Sequence, residues 1–396
     1  MEKVIAYLES PNWLGHAATQ QEIYVKALLD LGNMVIVLTP YPEETELWAG
    51  QLEPAQRCRL AICLLEALPK KGIARKFKWL WANQQVSKAE KKAGWRVDEV
   101  LVTWLDGLRV SLGKALLTGL FFRYSWAGLY FLPTHFRSDT EIAKRKRRRE
   151  ILSDYALLRY SRCRGIGVLD EGTIQGLQKI KKDLPVLFPE MTEKVAIQTE
   201  EINKIRLMAG GRCIFALLGH LAARKGVLEF LRLARDFPED KGFFLMAGQF
   251  APSSFEAGGL SEIRQLLTTK GRNNCYFKLA KVESAQEFNG FLACSDVLYL
   301  GYKNFYHSSG LLAKAAHFRK PVIAGKGYCI GERVDRYKLG ITVNVSCYAE
   351  IRAAAETLAD EEVRRQLVSG KGFADYDGQN SETALQKALQ QLLGLN

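Results

Sequence analysis

The stretch Leu218-Gly-His-Leu-Ala-Ala-Arg-Lys-Gly226 decides how this chain is interpreted. It follows an apolar run at 214–218, which is typical of a buried strand, and precedes an amphipathic run at 227–235. A turn between a strand and a helix brings backbone N–H groups and the positive end of the helix dipole to one point. With Arg224 and Lys225 beside it, this turn has the composition of a diphosphate site. An ordinary solvated turn is equally compatible with these residues alone.

Both halves of the chain alternate short apolar runs with amphipathic ones. At the start, strand patterns at 4–8 and 34–38 enclose a helical pattern at 20–31, which ends at the turn Gly32-Asn33. Further strand patterns lie at 100–104, 128–132, 165–169, 214–218, 243–246, 275–279, 297–300 and 321–324. Strand–helix–strand order implies parallel strands, so the sequence predicts an α/β fold of two doubly wound domains.

The motifs that follow the first turn form an ordered series. Its members are Gly219, Lys225-Gly226, Met246-Ala247-Gly248, Ala293-Cys294-Ser295-Asp296-Val297, Ser308–Ala316, Arg319–Ala324, Gly331-Glu332 and Leu339-Gly340. In order and spacing this series resembles the C-terminal domain of retaining glycosyltransferases of family 4, also called group 1 glycosyltransferases. The resemblance implies the GT-B fold, in which two Rossmann-like, doubly wound domains face each other across a cleft.

The resemblance also implies a division of the chain. Residues 1–190 would form the acceptor-side Rossmann-like domain and 211–375 the nucleotide-sugar-binding one, with 191–210 as a linker. Residues 376–396 carry apolar side chains at helical spacing, and we expect this last helix to cross back to the N-terminal domain.

By resemblance, the donor binds at the carboxyl ends of the second set of strands. The implied donor-binding residues are Gly219, His220, Lys225, Leu279, Val282, Ser308, Ser309, Gly310 and Lys314. Arg224 and Lys225 would neutralise the diphosphate leaving group, on which negative charge grows during transfer, so both are predicted to be catalytic. Backbone groups near 279–282 would hold the base. A plain helix N-cap is also compatible with Ser308-Ser309-Gly310.

Three positions depart from the family pattern. The family places glutamates where this chain has Tyr306 and Lys314, and an arginine where it has His220. A histidine ring cannot donate bidentate hydrogen bonds to two phosphate oxygens, as the guanidinium of arginine does. Two explanations stay open, a donor that is held differently and a weakened or lost catalysis.

The N-terminal half offers one match to the family at His135. The strand pattern at 128–132 runs through Pro133-Thr134 into this histidine, which is one of five in the chain. By resemblance it faces the donor sugar across the cleft, where it would bond a sugar hydroxyl or polarise the reacting centre. His135 is therefore predicted to be catalytic, with a purely structural histidine as the alternative.

The loop at 10–16 corresponds to the glycine-rich loop of the family. Asn12, Trp13, Gly15 and His16 are therefore predicted on the acceptor side, against the alternative of a turn that caps the next helix. Asp106-Gly107 is a weaker candidate of the same kind.

The formal charge of +13 favours anionic partners. Cations cluster at 70–81 and 144–149, and both segments are candidates for peripheral contact with anionic lipid. For both segments the alternative is a charged surface in contact with solvent. For 70–81 we favour a helix that packs its apolar face on the domain and keeps its cations in solvent. No aromatic–basic pattern of RNA recognition occurs in the sequence, so nucleic acid is not expected as a partner.

The eight cysteines show no Cys-x-x-Cys pair, and no histidine completes a zinc pattern. We therefore expect no metal site and a reducing, cytoplasmic environment. The sequence shows no signal-peptide pattern and no apolar run of membrane-spanning length.

The sequence thus predicts a hexosyl- or pentosyltransferase. It would move a sugar from a nucleotide-diphosphate donor, a UDP- or GDP-sugar, to a hydroxyl of a sugar, lipid-linked or small-molecule acceptor. By resemblance the transfer proceeds with retention, and neither a metal nor a further cofactor is expected. Two alternatives stay open: a catalytically inactive GT-B binding or scaffold protein, and a nucleotide-sugar epimerase, for which the sequence places no acid–base carboxylates in the cleft.

Overall fold

Apolar strands that alternate with amphipathic helices build two parallel sheets, each the centre of its own unit. The computed structural model describes residues 2–10, 17–69, 71, 77–137, 144–268 and 273–395. Contacts divide the chain into a first unit of residues 1–191 and 380–396 and a second unit of residues 192–379. The predicted α/β class with two doubly wound parallel sheets is confirmed.

In the first unit, the described residues form a seven-stranded parallel sheet in the order β3-β2-β1-β4-β5-β6-β7. The strands are β1 (Val4–Leu8), β2 (Met34–Thr39), β3 (Leu60–Leu64), β4 (Glu99–Val102), β5 (Trp126–Tyr130), β6 (Cys163–Val168) and β7 (Pro185–Leu187). The helices are α1 (Ala17–Asp30), α2 (Pro42–Ala49), α3 (Pro54–Arg57), α4 (Lys78–Ala93), α5 (Leu105–Leu108), α6 (Leu112–Leu116), α7 (Thr118–Phe121), α8 (Lys144–Tyr160) and α9 (Ile174–Gln178).

In the second unit, the described residues form a six-stranded parallel sheet in the order β10-β9-β8-β11-β12-β13. The strands are β8 (Cys213–Leu218), β9 (Gly242–Ala247), β10 (Cys275–Lys278), β11 (Val297–Leu300), β12 (Val322–Gly325) and β13 (Gly340–Val343). The helices are α10 (Glu200–Ala209), α11 (Val227–Asp236), α12 (Ala257–Thr268), α13 (Ala285–Cys294), α14 (Gly310–His317), α15 (Tyr328–Tyr337), α16 (Tyr348–Ala359), α17 (Glu361–Ser369) and α18 (Lys371–Gln379).

The last helix, α19 (Glu382–Leu393), belongs to the first unit. Its apolar face, with Leu385 and Leu389 fully buried, packs in the same core layer as α1 and the inner strands. Lys3 donates from Nζ to the Leu393 carbonyl at 2.9 Å, which places a cation at the negative end of the helix dipole. Packing and charge together hold the end of the chain on this sheet.

The sequence patterns missed three edge strands, β3, β7 and β13. Edge strands have one neighbour and keep a solvent-facing side, and in all three strands most side chains are not fully buried. The strands β7 and β13 are only three and four residues long and resemble loops, whereas β3 lies in a longer apolar run at 60–65 that the sequence analysis overlooked. The strands predicted at 100–104, 128–132 and 165–169 are present but begin one or two residues earlier, as is common at element boundaries.

Among the helices that the structure describes, none combines the length and the apolarity that a transmembrane helix requires.

Glu99 is a carboxylate buried at the start of β4. Its Oε1 accepts a hydrogen bond from Ser125 Oγ at 3.0 Å, and its Oε2 lies 3.1 Å from Arg164 Nε. Burial is the largest influence and raises its pKa from 4.5 to about 7, against the lowering effect of these two partners. The charged form is therefore costly in the folded state.

This raised pKa predicts a pH-dependent stability. The contribution of Glu99 to the free energy of unfolding is fully present below the pKa of the unfolded chain and is lost as the pH rises through the folded-state pKa of about 7. A Glu99→Gln variant should therefore gain about 2–3 kcal/mol relative to the wild type between about pH 4.5 and about pH 8. Urea denaturation of both proteins at the two pH values measures this gain, and an equal difference at both would contradict the assignment.

Candidate functional site

The turn after β8 follows a path that only glycine permits at two positions. Gly219 has a φ of +98° and donates from its N–H to the Ala247 carbonyl at 2.9 Å. Gly226 has a φ of +72°, and a Cβ there would lie 2.7 Å from the Gly301 carbonyl oxygen. The turn therefore lies between the end of β9, which Gly219 contacts, and the loop after β11, which Gly226 contacts, and α11 begins directly after it.

Lys225 lies inside this turn and is 7% exposed. Its Nζ donates to the Leu218 carbonyl at 3.0 Å and stands 5.2 Å from the centre of the Tyr302 ring. A Cβ on Gly219 would approach the same Nζ to 3.0 Å, so the glycine keeps space open above the ammonium group. An ammonium group has three N–H donors, and the carbonyl takes one of them among the described residues. Lys225 is thus a positioned cation with donors to spare.

Arg224 and His220 flank Lys225 on the exposed side of the turn. The Arg224 guanidinium lies 5.0 Å from the centre of the Phe305 ring, a cation–π contact that restrains it. The Arg224 carbonyl accepts from the backbone N–H of Lys303 at 2.7 Å. These contacts join the turn after β8 to the loop after β11 and bring two cations to the carboxyl edge of the sheet.

The loop after β11 ends in Ser308-Ser309-Gly310 and leads into α14. Ser308 Oγ accepts from Arg333 Nη1 at 2.9 Å. Ser309 occupies the N-cap position with an extended φ of −144°, but its side chain makes no capping hydrogen bond. The N–H groups of the first turn of α14 are therefore not satisfied by that side chain and can serve an anion.

Lys314 lies one turn into α14 and is 7% exposed. Its Nζ donates to Asn289 Oδ1 at 2.5 Å and stands 5.5 Å from the centre of the Phe288 ring. Burial lowers its pKa from 10.5 to about 8, and the more distant Glu193 carboxylate opposes this in part. Phe288 also borders Gly219, where a Cβ would lie 3.9 Å from its ring. Lys314 and the turn after β8 therefore approach the same phenylalanine.

Leu279 and Val282 follow β10 at the same edge of the sheet. Leu279 is exposed and Val282 packs partly against the core. The Lys278 carbonyl just before them accepts from the Gly248 N–H at 2.9 Å, which joins this segment to the end of β9. The predicted donor-side residues thus follow the carboxyl ends of β8, β10 and β11 in the second sheet, whose strand order reverses between β8 and β11.

His135 lies in the first unit, in the short 3-10 helix Thr134–Phe136 after β5, and is 1% exposed. Its Nε2 is 2.7 Å from Asp154 Oδ2, and its Nδ1 is 3.3 Å from Glu150 Oε2. Asp154 also accepts from the Tyr130 hydroxyl at 2.7 Å and from Arg109 Nε at 3.1 Å. Both ring nitrogens therefore face carboxylates of α8, and a contact of His135 with a sugar stays a prediction.

Asp106 supports the segment that carries His135. Its two carboxylate oxygens accept from the N–H groups of Phe131 and Leu132, each at 2.9 Å. Burial raises its pKa from 3.8 to about 6. These bonds give Asp106 a positioning role at the carboxyl end of β5.

Glu9 is a buried carboxylate that the sequence reasoning missed. It follows β1 directly, and its Oε1 accepts from the Ser10 N–H at 2.7 Å and from Thr103 Oγ1 at 3.1 Å. Burial raises its pKa. The signal was present in the sequence, because a charged residue directly after an apolar strand lies at the functional edge of a parallel sheet.

The acceptor-side predictions Asn12, Trp13, Gly15 and His16 fall outside the described residues.

The two basic segments are described in part. In 70–81, Lys78 donates from Nζ to the Gly107 carbonyl at 2.7 Å, and Trp81 is buried in the core of the first unit. In 144–149, which begins α8, Arg148 and Arg149 are exposed, and the side chains at 144–147 lie outside the description. Membrane contact through either segment stays a prediction.

No protein-family model and no curated protein matches this chain. Solved structures do match along its whole length. The sucrose-phosphate synthase tll1590 from Thermosynechococcus elongatus is 14% identical, with 99% of this chain and 98% of that chain covered and a TM-score of 0.69. Anabaena Alr3699/HepE, in complex with UDP and glucose, is 12% identical with 99% of each chain covered and a TM-score of 0.63.

WaaG, a glycosyltransferase involved in lipopolysaccharide biosynthesis, is 15% identical, with 99% of this chain and all of that chain covered and a TM-score of 0.60. This chain has the GT-B fold. The predicted fold class is therefore confirmed, while membership in family 4 stays a prediction because no family model supports it. At these identities the likeness extends to the fold alone.

Proposed function

We propose that this GT-B chain is a glycosyltransferase that uses a nucleotide-diphosphate sugar, either a UDP- or a GDP-sugar. The observation that carries the proposal is the position of Lys225, a restrained cation at the switch point of the second sheet. The first turn of α14 adds backbone N–H groups at the same edge. Solved structures of the same fold include HepE with UDP and glucose and a Staphylococcus aureus MnaA–UDP complex, which supports a nucleotide ligand.

The chemistry that this edge supports is stabilisation of a leaving diphosphate. Negative charge grows on the diphosphate as the bond to the sugar breaks, and the spare donors of Lys225 and the guanidinium of Arg224 become stronger partners as it does. Because Tyr302 and Phe305 already restrain the two cations, little reorganisation is needed at that moment. Two protein cations at the diphosphate also motivate our proposal that the transfer needs no metal.

The replaced carboxylates bear on how the donor is held. A lysine donates hydrogen bonds where a glutamate accepts them, so Lys314 cannot hold ribose hydroxyls in the same way. Its ammonium group is already bonded to Asn289. We therefore propose that the sugar and ribose are recognised by other groups, including the backbone after β10. Retention, carried over from the family resemblance, belongs to the proposal as well.

A second candidate function is a GT-B protein that binds a nucleotide-sugar without transferring it. The observation that favours it is the loss of both family glutamates at Tyr306 and Lys314. Both candidates require nucleotide binding and differ in turnover. Assays for transfer to sugar, lipid-linked and small-molecule acceptors, and for hydrolysis of the donor, separate them.

Titration with UDP, GDP and ADP tests the common requirement. We expect UDP or GDP to raise the melting temperature, with a stabilisation of about 2.7 kcal/mol at a ligand concentration about 100 times the Kd. The measurement is a thermal shift in buffer without divalent metal, repeated with the metal added. Absence of any shift with all three nucleotides at millimolar concentration would overturn both candidate functions.

A further inference from the structure

A cavity of about 420 Å³ lies beyond the carboxyl ends of β11, β12 and β13 in the second unit. Its volume falls within the range of roughly 300–1,000 Å³ that is typical of small-molecule sites. Within the described residues, none of those predicted to bind the nucleotide lines it. Apart from the rings of Tyr302 and Phe305, which restrain Lys225 and Arg224, the proposed function does not use this cavity.

Three aromatic residues line this cavity: Tyr302, Phe305 and Tyr328. The rings of Tyr302 and Phe305 pack edge to face with centroids 5.1 Å apart. The ring of Tyr328 packs edge to face on that of Tyr306 at 4.5 Å. Neighbouring rings thus hold each wall in place, and such rigid aromatic surfaces suit the apolar C–H face of a sugar ring.

The polar groups around the cavity carry no net charge. Lys326 Nζ and Glu350 Oε2 form an ion pair at 2.9 Å, and the same carboxylate accepts from the Asn344 N–H at 2.9 Å. Besides the hydroxyls of Tyr302 and Tyr328, the lining has two further polar side chains, Asn304 and Asn344, which are neutral amides that both donate and accept. Among the described lining residues Lys326 is the one cation, and it is already paired with Glu350, so the cavity offers no unpaired positive charge to a phosphate. A neutral ligand rich in hydroxyls matches this set of donors and acceptors.

The Tyr302 hydroxyl is a buried polar group that needs a partner. Tyr302 is 8% exposed, and its hydroxyl has no hydrogen-bond partner among the described residues. Buried polar groups without a partner are rare, because the hydrogen bonds to water that they lose on folding are not replaced and this destabilises the folded state. The oxygen itself is almost fully shielded from solvent, so a ligand hydroxyl in the adjoining cavity pairs with it only if the Tyr302 ring shifts slightly.

The backbone around the cavity is strained at two places. Asn304 has a φ of +50° and Tyr328 a φ of +53°, and they are two of the four non-glycine residues with positive φ in the described chain. Strained residues concentrate where a ligand or a function has to be served.

We propose that this cavity binds a neutral saccharide of one or two rings, at a site separate from that of the nucleotide. The rings of Tyr302 and Phe305 are shared between the two sites, since Lys225 and Arg224 rest on them. A bound saccharide therefore contacts the residues that restrain the two cations of the nucleotide site.

The first test compares two buried tyrosine hydroxyls. Tyr299 and Tyr302 both have hydroxyls without partners among the described residues, but only Tyr302 lines the cavity. Glucose, galactose, mannose, N-acetylglucosamine and maltose are titrated by calorimetry into the full chain. We expect at least one to bind, Tyr302→Phe to weaken that binding about tenfold, and Tyr299→Phe to leave it unchanged. Equal effects of the two variants would overturn the proposal.

The second test fills the cavity. Val345→Trp adds volume at its lining, and Leu207→Trp adds the same ring at an 83% exposed position of α10. Saccharide binding should disappear in the first variant and persist in the second. If Val345→Trp still binds the saccharide, the saccharide binds elsewhere and the proposed site in this cavity is wrong.

UDP titration of the same samples separates this proposal from the proposed function. If UDP binds while none of the five sugars does at millimolar concentration, only the saccharide site is wrong. If a sugar binds but no nucleotide does, only the proposed function is wrong. Uridine or glucose 6-phosphate binding in the cavity in place of the neutral sugars would also overturn the assignment.

Discussion

Replacing Asp154 by alanine is expected to lower the free energy of unfolding by about 3–5 kcal/mol. The carboxylate is 3% exposed and accepts hydrogen bonds from the Tyr130 hydroxyl and from Arg109 Nε, besides its contact with His135. Its removal leaves the buried Tyr130 hydroxyl and the partly buried Arg109 guanidinium without this acceptor. The penalty for stranded polar groups, and not the strength of one ion pair, sets the size of the effect.

Urea denaturation followed by near-ultraviolet circular dichroism measures this loss. Asp154→Asn keeps an acceptor oxygen in place and should cost clearly less than the alanine variant. Glu46→Ala is the matched control, since Glu46 pairs with Arg57 where both side chains are over 40% exposed. That control should cost less than about 1 kcal/mol. Similar losses for Asp154→Ala and Glu46→Ala would refute the role of the buried network.

Replacing Lys225 by methionine is expected to weaken UDP or GDP binding by about 10- to 100-fold. Methionine preserves the unbranched side chain that packs in the turn and removes only the ammonium group. A hydrogen bond to a charged group contributes about 1.5–3 kcal/mol, which corresponds to this range. If the chain is a transferase, kcat should fall together with kcat/KM, because the charge on the diphosphate grows in the transition state.

Lys371→Ala is the control for net charge. Lys371 is the first residue of α18 and is exposed. Its replacement by alanine removes the same single charge as Lys225→Met at a position away from the carboxyl edge of the sheet. Calorimetric titration and donor turnover are measured for both variants. Wild-type affinity in Lys225→Met would show that the turn after β8 does not hold the diphosphate. Loss of binding in a protein that never turns over donor would favour the binding-protein function.

The local features of the second unit could be predicted from the sequence alone. The apolar run before Leu218, the glycine at 226 and the amphipathic run after it predict a strand, a tight turn and a helix, and the structure has all three. The apolar face of α19 was equally visible from its spacing. Such features are readable because their causes, periodicity and the steric limits on φ, act over a few residues.

The contacts that define the sites were decided by the tertiary structure. The ring of Tyr302 lies against Lys225 because β8 and β11 are neighbours in the sheet, although β9 and β10 separate them in the chain. The carboxylates that surround His135 come from α8, and the cavity exists because three strands end beside one another. Periodicity tells which face of an element is buried but not which element covers it. The sequence by itself therefore determined the alternation of strands and helices and the turn at Lys225, whereas the order of the strands decided which side chains meet there.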